Sequence, residues 1–138
     1  MTDVVVDASV TAPFLIADEA GDCSDDLLAA LTDGRAIVPQ HWRLEVANLG
    51  RKAVRQKRIT REELEEGIGL LAILPVRIDG LTDELAWSRI LDIASDHDLT
   101  SYDAAYLELA KRSRLPLATA DKALIRAARR ESVRLFRL

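Results

Sequence analysis

Short runs of aliphatic and β-branched residues alternate along the chain with longer stretches whose apolar positions recur every three or four residues. Val4-Val5-Val6 is such a run, stopping at Asp7 as a buried strand does at the edge of a sheet. Ala36-Ile37-Val38, ended by Pro39, predicts a second strand, and Val76-Arg77-Ile78 a third. Leu117-Ala118-Thr119 predicts a fourth and Val133 to Phe136 a last one. The stretches between them predict helices. One runs from Ser9 through Val10, Phe14, Leu15 and Ile16; another covers Asp25 to Leu31, capped by Ser24 and stopped at Gly34. A long helix from Trp42 to Lys57 follows from Trp42, Val46, Leu49 and Ala53. Thr60 and Glu63 have the spacing of a capping box and open a helix that ends before Pro75. Further helices are expected over Asp83 to Ser95, over Tyr102 to Arg112 with Ser101 as cap, and over Lys122 to Arg130.

Strands alternating with helices in this way predict an α/β fold with a mainly parallel sheet. In such folds ligands bind beyond the carboxyl ends of the strands. Asp7 and Asp121, each just past a predicted strand, therefore draw interest. The 138 residues show no repeat, low-complexity tract or linker and fit a single domain over 1–138. An apolar share of 49% beside 30% charged residues argues against disorder. The longest apolar stretch, Ile68 to Val76, is broken by Gly69 and Pro75 and falls far short of the ~20 residues that span a bilayer. The first residues carry no positive segment of a secretory signal, so a soluble, cytoplasmic protein with no membrane partner is expected. Cys23 is the single cysteine, which excludes an intrachain disulfide and a cysteine-rich zinc cage.

A net charge of −4 at first argues against a nucleic-acid partner. The distribution changes that picture. Residues 1–50 carry only Arg35 and Arg43 as bases, whereas the run from Arg51 to Arg61 holds six bases and no acid. Residues 122–138 hold six more bases against Glu131 alone. Two basic patches on an acidic body can attract a polyanion locally, although two solvated helix faces would read the same way.

Four acids stand at element ends: Asp7, Glu45, Asp103 and Asp121. Each alone has a structural explanation. Asp7 and Asp121 can cap the helices that follow them, Asp103 suits the positive end of a helix dipole, and Glu45 lies away from the Trp42–Val46–Leu49 stripe as a solvated charge does. Gathered in one pocket they would repel each other unless a cation neutralised them. Hard oxygen donors suit Mg²⁺ or Mn²⁺, and suit zinc poorly without His or Cys. Metal ions among carboxylates are a common device for cleaving phosphodiesters.

Four motifs carry a family likeness: Asp7-Ala8-Ser9 after the first strand, Pro39 with Glu45-Val46-Ala47-Asn48, Leu99-Thr100-Ser101-Tyr102-Asp103-Ala104, and Pro116-Leu117-Ala118-Thr119-Ala120-Asp121. In this order, and spread from Val4 to Val133, they make the chain resemble a PIN-domain ribonuclease, specifically the VapC-type toxin of bacterial toxin–antitoxin pairs. The resemblance implies a three-layer α/β/α sandwich around a mainly parallel sheet. It implies a metal site formed by Asp7, Glu45, Asp103 and Asp121, with hydroxyl support from Ser9 and Thr119 and a further contribution from Asn48. It implies Mg²⁺-dependent endoribonuclease activity (Mn²⁺ serving in its place), restraint by a cognate VapB-type antitoxin, and a homodimer. Arg51, Lys52 and Arg55 then become candidates for holding RNA or the protein partner. Two departures from the family stand out. Ser113-Arg114-Leu115 replaces a segment where many relatives have glycine, and Lys122-Ala123-Leu124 lacks the further acid that some relatives carry.

Other residues compete for a role. His41 and His97 would suit a metal-free ribonuclease, although each is also explained by its place near a helix end. Trp42 and Trp87 can stack on bases, but their helical spacing predicts core packing, as it does for Tyr102 and Tyr106. A haloacid-dehalogenase-type phosphatase would also place an Asp after the first strand, but it usually has a second Asp where this chain has Ser9. A catalytically inactive PIN-like module that binds RNA or protein is the other alternative, against which the presence of all four acids speaks.

Overall fold

The computed structural model describes residues 3–16 and 22–136, the side chains of residues 22 and 23 excepted, so the Cys23 thiol and Arg137 lie outside the described residues. Four short strands, β1 (Val4–Val6), β2 (Ala36–Val38), β3 (Val76–Ile78) and β4 (Leu117–Ala118), form one sheet in the order β3-β2-β1-β4. All three pairings are parallel, with Val5 opposite both Ile37 and Leu117. Every residue of β1, β2 and β4 is buried. Because successive side chains of a strand point to opposite faces, this burial requires cover on both sides of the sheet. The result is the α/β sandwich expected from the alternation of elements.

The helices supply that cover. They are α1 (Ala12–Leu15), α2 (Asp22–Asp33), α3 (Trp42–Arg55), α4 (Arg61–Ala72), α5 (Thr82–Leu85), α6 (Leu91–His97), α7 (Ser101–Ser113) and α8 (Lys122–Arg130). Helix α7 is buried continuously from Ala104 to Ala110 and packs against β1 and β4. Helix α3 buries Trp42, Val46, Gly50 and Ala53 and packs Leu49 and Val54 partly against the core. Helices α1 and α4 approach so closely that a Cβ on Gly67 would lie 2.8 Å from the Phe14 carbonyl oxygen. Only glycine fits there without moving backbone.

Several boundaries differ from the sequence reading, each for a local reason. The first predicted helix is split into a 3-10 turn over Ala8–Thr11 and the short α1, since Pro13 lacks the N–H a continuous helix needs. Helix α2 begins at Asp22, so Ser24 lies inside it instead of capping it. Helix α3 stops at Arg55, with Lys57 in the left-handed region at φ 60°. The cap of α7 is Thr100 rather than Ser101, its hydroxyl accepting from the Asp103 N–H at 3.1 Å. The last predicted strand is reduced to one parallel bridge between Leu117 and Leu135. Arg114 closes α7 with φ 57°, a conformation glycine adopts without strain.

Trp87 and Tyr102 are not core residues. A π-turn over Ala86–Ile90 stretches the spacing of the inward positions, so that Leu85, Ile90 and Ala94 face the small core under α7 and Trp87 is left 93% exposed. Tyr102, in the first turn of α7, is 63% exposed, whereas Tyr106 one turn later is fully buried. Trp42 is in the core as expected. Among the described residues no helix is long and apolar enough to cross a membrane.

Candidate functional site

The chain runs outward from β1 to β2 to β3, then returns to place β4 on the other side of β1. That reversal leaves a crevice at the carboxyl ends of β1 and β4, where open parallel sheets bind ligands. Asp7 lies at the end of β1, and Thr119 and Asp121 just past the end of β4.

Asp7 is 4% exposed, and one of its oxygens accepts two hydroxyls, from Thr119 at 2.7 Å and Ser9 at 2.8 Å. The Ser9 oxygen accepts in turn from the Ala120 N–H at 2.9 Å, and that of Thr119 from the Asp121 N–H at 3.1 Å. These bonds tie the β1 and β4 ends together and fix the Asp7 carboxylate, which also accepts from the Ser9 and Ala8 backbone N–H groups. Asp121 caps α8 through the Leu124 N–H at 3.3 Å, so the structural role considered for it is real. Asp103 stands at the third position of α7, held by the Thr100 cap.

Glu45 comes from α3, and its position depends on residues the sequence reading did not single out for the site. The buried Tyr106 hydroxyl donates to Glu45 Oε1 at 2.5 Å. His41 Nε2 lies 3.4 Å from the same oxygen and 3.0 Å from the Tyr102 carbonyl oxygen. His41 also meets the rings of Tyr102 and Tyr106 edge-on. The spacing of His41 and Glu45 as i and i+4 on α3, and of Tyr102 and Tyr106 on α7, was the available signal; it lacked only the knowledge that these two helix faces meet.

Electrostatics bind the four acids into one group. Burial, followed by the negative charges of Asp7, Asp121 and Glu45, pushes the Asp103 carboxyl up to about 6. Burial also raises Asp7, against the lowering effect of the Thr119 and Ser9 hydroxyls. Burial, the hydrogen bond to Glu45 and the charges of Glu45 and Asp7 drive the Tyr106 phenol far above its ordinary range, so it remains a proton donor. Among the described residues none of the four carboxylates makes an ion pair with Lys or Arg.

The donor set is chemically suited to a hard divalent cation: oxygen atoms, surplus negative charge and one imidazole at the edge. No three His, Cys, Asp or Glu side chains among the described residues stand close enough to form a finished cage. The site is an open acidic pocket whose surplus charge calls for a cation.

The other predicted residues separate. Asn48 is exposed on α3 and joins none of the hydrogen bonds that hold the acids. Arg51 and Arg55 line a groove between α3 and α4, whereas Lys52 faces a depression that includes Ser9 and Ala120. His97 is held by Glu131 at 2.6 Å, so the two histidines serve different partners and form no acid–base pair.

A sheet of this topology with carboxylates gathered at its switch point defines a nuclease-like α/β domain. The chain matches the PIN domain over residues 4–130 and belongs to that family, whose members are generally metal-dependent nucleases. Its fold is similar to that of PAE2754 from Pyrobaculum aerophilum, with a TM-score of 0.67 and 24% identity over 91% of this chain and 79% of that one. A weaker likeness, TM-score 0.47 and 13% identity, links it to the PilT N-terminus domain protein SSO1118 from Sulfolobus solfataricus, over 98% of this chain and 86% of that one. No functionally curated protein matches the sequence.

Proposed function

We propose that this PIN domain is an Mg²⁺-dependent endoribonuclease, with Mn²⁺ able to substitute, and that it is the toxin of a VapBC-type pair. The observation that carries the reading is Asp103, raised to about 6 by burial and by three further carboxylates in a pocket that provides no Lys or Arg partner. These carboxylates would hold a divalent ion, which would supply an activated water and charge stabilisation for phosphodiester cleavage. The chain's own residues do the rest. Asp7 and Asp103 are the principal ligands and Glu45 and Asp121 complete the pocket. Ser9 and Thr119 hold Asp7 Oδ2 and Tyr106 holds Glu45 Oε1, so that both carboxylates are fixed in place.

The partner reading has its own support. The groove between α3 and α4 has a volume of about 650 Å³ and combines Val54, Leu64 and Ile68 with Arg51 and Arg55, and with Arg61 paired to Glu65 at 3.2 Å. An amphipathic segment with acidic residues on one side suits it, as an antitoxin tail would. The exposed Leu44, Trp87 and Tyr102 offer apolar area for a second copy of the chain.

The test is cleavage of total RNA by purified wild type and Asp7→Asn, with Mg²⁺ or Mn²⁺ and with EDTA. Discrete fragments are expected from wild type alone, and none in EDTA. Cleavage that survives either EDTA or the substitution overturns the metal-site reading. A folded wild type that cuts nothing, and whose melting temperature does not respond to millimolar metal, leaves the inactive binding module as the better reading.

A further inference from the structure

Helix α3 divides into three faces. At 3.6 residues per turn, Trp42, Val46, Gly50 and Ala53 share the buried face, and Arg51, Val54 and Arg55 look toward α4. His41, Glu45, Lys52 and Gln56 fall within about 60° of arc on the third face. That face runs along the acidic pocket: His41 and Glu45 stand at one end of the helix, and Lys52 lies about 10 Å further along the axis at 1.5 Å per residue. There, Lys52, Gln56 and Arg58 join Ser9, Leu49 and Ala120 around a depression of about 400 Å³. Ser9 and Ala120 belong to the hydrogen-bonded lock on Asp7, so the basic depression opens directly beside the carboxylates.

We infer that this depression is a phosphate subsite for single-stranded RNA. Lys52 holds a phosphodiester neighbouring the one placed over the acids, and Gln56 hydrogen-bonds to its sugar or phosphate. The assignment rests on the ribonuclease reading and sharpens it, for it divides a basic run that looks uniform in sequence. Lys52 serves RNA, while Arg51 and Arg55 face the α3–α4 groove. Placing a cation here has a physical purpose. An acidic pocket repels the backbone of its own substrate, and a positive group about two helical turns away offsets that repulsion without neutralising the carboxylates.

The test measures binding of a short fluorescein-labelled single-stranded RNA of mixed sequence by anisotropy, in EDTA and across a salt series. Lys52→Ala should weaken binding several-fold and reduce the slope of log K against log salt by about 0.7, the value for one lost phosphate contact on a single strand. Lys52→Arg should keep the slope, and Arg51→Ala and Arg55→Ala should keep both slope and affinity. RNA bound by wild type with Lys52→Ala unaffected, or with Arg51→Ala equally damaging, overturns the subsite and leaves the nuclease reading standing. If the folded wild type binds no RNA, the subsite is overturned, while the nuclease reading is decided by the cleavage test with metal.

Discussion

Helix α7 contributes one acid to each of two groups of carboxylates, and the fold treats the groups in opposite ways. Near its C-terminal end, Glu108 is 3% exposed and lies beside Asp79, itself 7% exposed at the end of β3. Arg112 neutralises both, reaching Asp79 at 2.8 and 3.1 Å and Glu108 at 2.8 and 3.2 Å. Near its N-terminal end, Asp103 joins Asp7, Glu45 and Asp121 with no guanidinium or ammonium paired to any of them. Burial pushes Asp79 up, yet the Arg112 hydrogen bonds, the Leu81 N–H and the charges of Arg112 and Arg77 outweigh it and hold the carboxyl below its usual value. At Asp103 burial and its neighbours act in the same direction. One helix, one kind of acid and opposite shifts: the difference is a guanidinium built into the sequence at one end, with no Lys or Arg paired to the acids at the other among the described residues.

The most severe way to break this comparison is to remove the built-in cation. Arg112→Met leaves Asp79 and Glu108 buried without a partner and should cost about 3 kcal/mol, the lower part of the range for breaking a buried pair, since Arg112 retains some exposure. Urea denaturation at neutral pH checks it. A loss under about 1 kcal/mol, the level of a surface pair, would show that the triad contributes little beyond its geometry.

The two ends should also respond oppositely to pH. An acid whose folded value is raised binds more protons folded than unfolded between the two values, so acidification stabilises the fold. Asp103, with 3.8 as its ordinary value and about 6 in the fold, should therefore add stability as pH falls from 7 toward 4. Asp79 has its folded value lowered, so the stability it contributes is present above 3.8 and lost only as pH falls below that. In EDTA the melting temperature should rise on mild acidification and drop in stronger acid. Asp103→Asn should flatten the rise while leaving the acid drop in place. An unchanged rise in Asp103→Asn would assign it elsewhere.

The same contrast separates what was legible in the sequence from what was not. β-branched runs and helical periodicities specify short-range order, and they placed β1, β2, β3 and most helices within a residue or two. Asp7 and Asp121 were visible as acids beyond strand ends, a rule of parallel sheets. Asp103 and Glu45 were harder, because each is locally explained as a dipole partner or a solvated charge, and only the likeness to a family grouped them. Local periodicity also misread Trp87, since a π-turn changes the phase of a helix with no marker in the residue pattern. The Arg112 triad was missed because Asp79 lies 33 residues from its partner, and nothing local to either reports that separation. Tyr106 was taken for packing, which is right for its ring and incomplete for its hydroxyl.

That hydroxyl provides the finest test of the comparison. Among the described residues no Lys or Arg pairs with the N-terminal group, and Tyr106 holds Glu45 with a neutral donor that leaves the negative charge intact. Tyr106→Phe removes one hydrogen bond without emptying the core and should cost about 1 kcal/mol. A role confined to packing would end there. If the hydroxyl positions Glu45 for a cation, Tyr106→Phe should also shrink the rise in melting temperature on adding Mn²⁺. In a Glu45→Gln background the same substitution should have little further effect on that rise, because residues acting through one contact are not additive. Equal losses in both backgrounds would mean that the phenol and the carboxylate act independently, and that Glu45 takes its place in the acidic group from α3 alone.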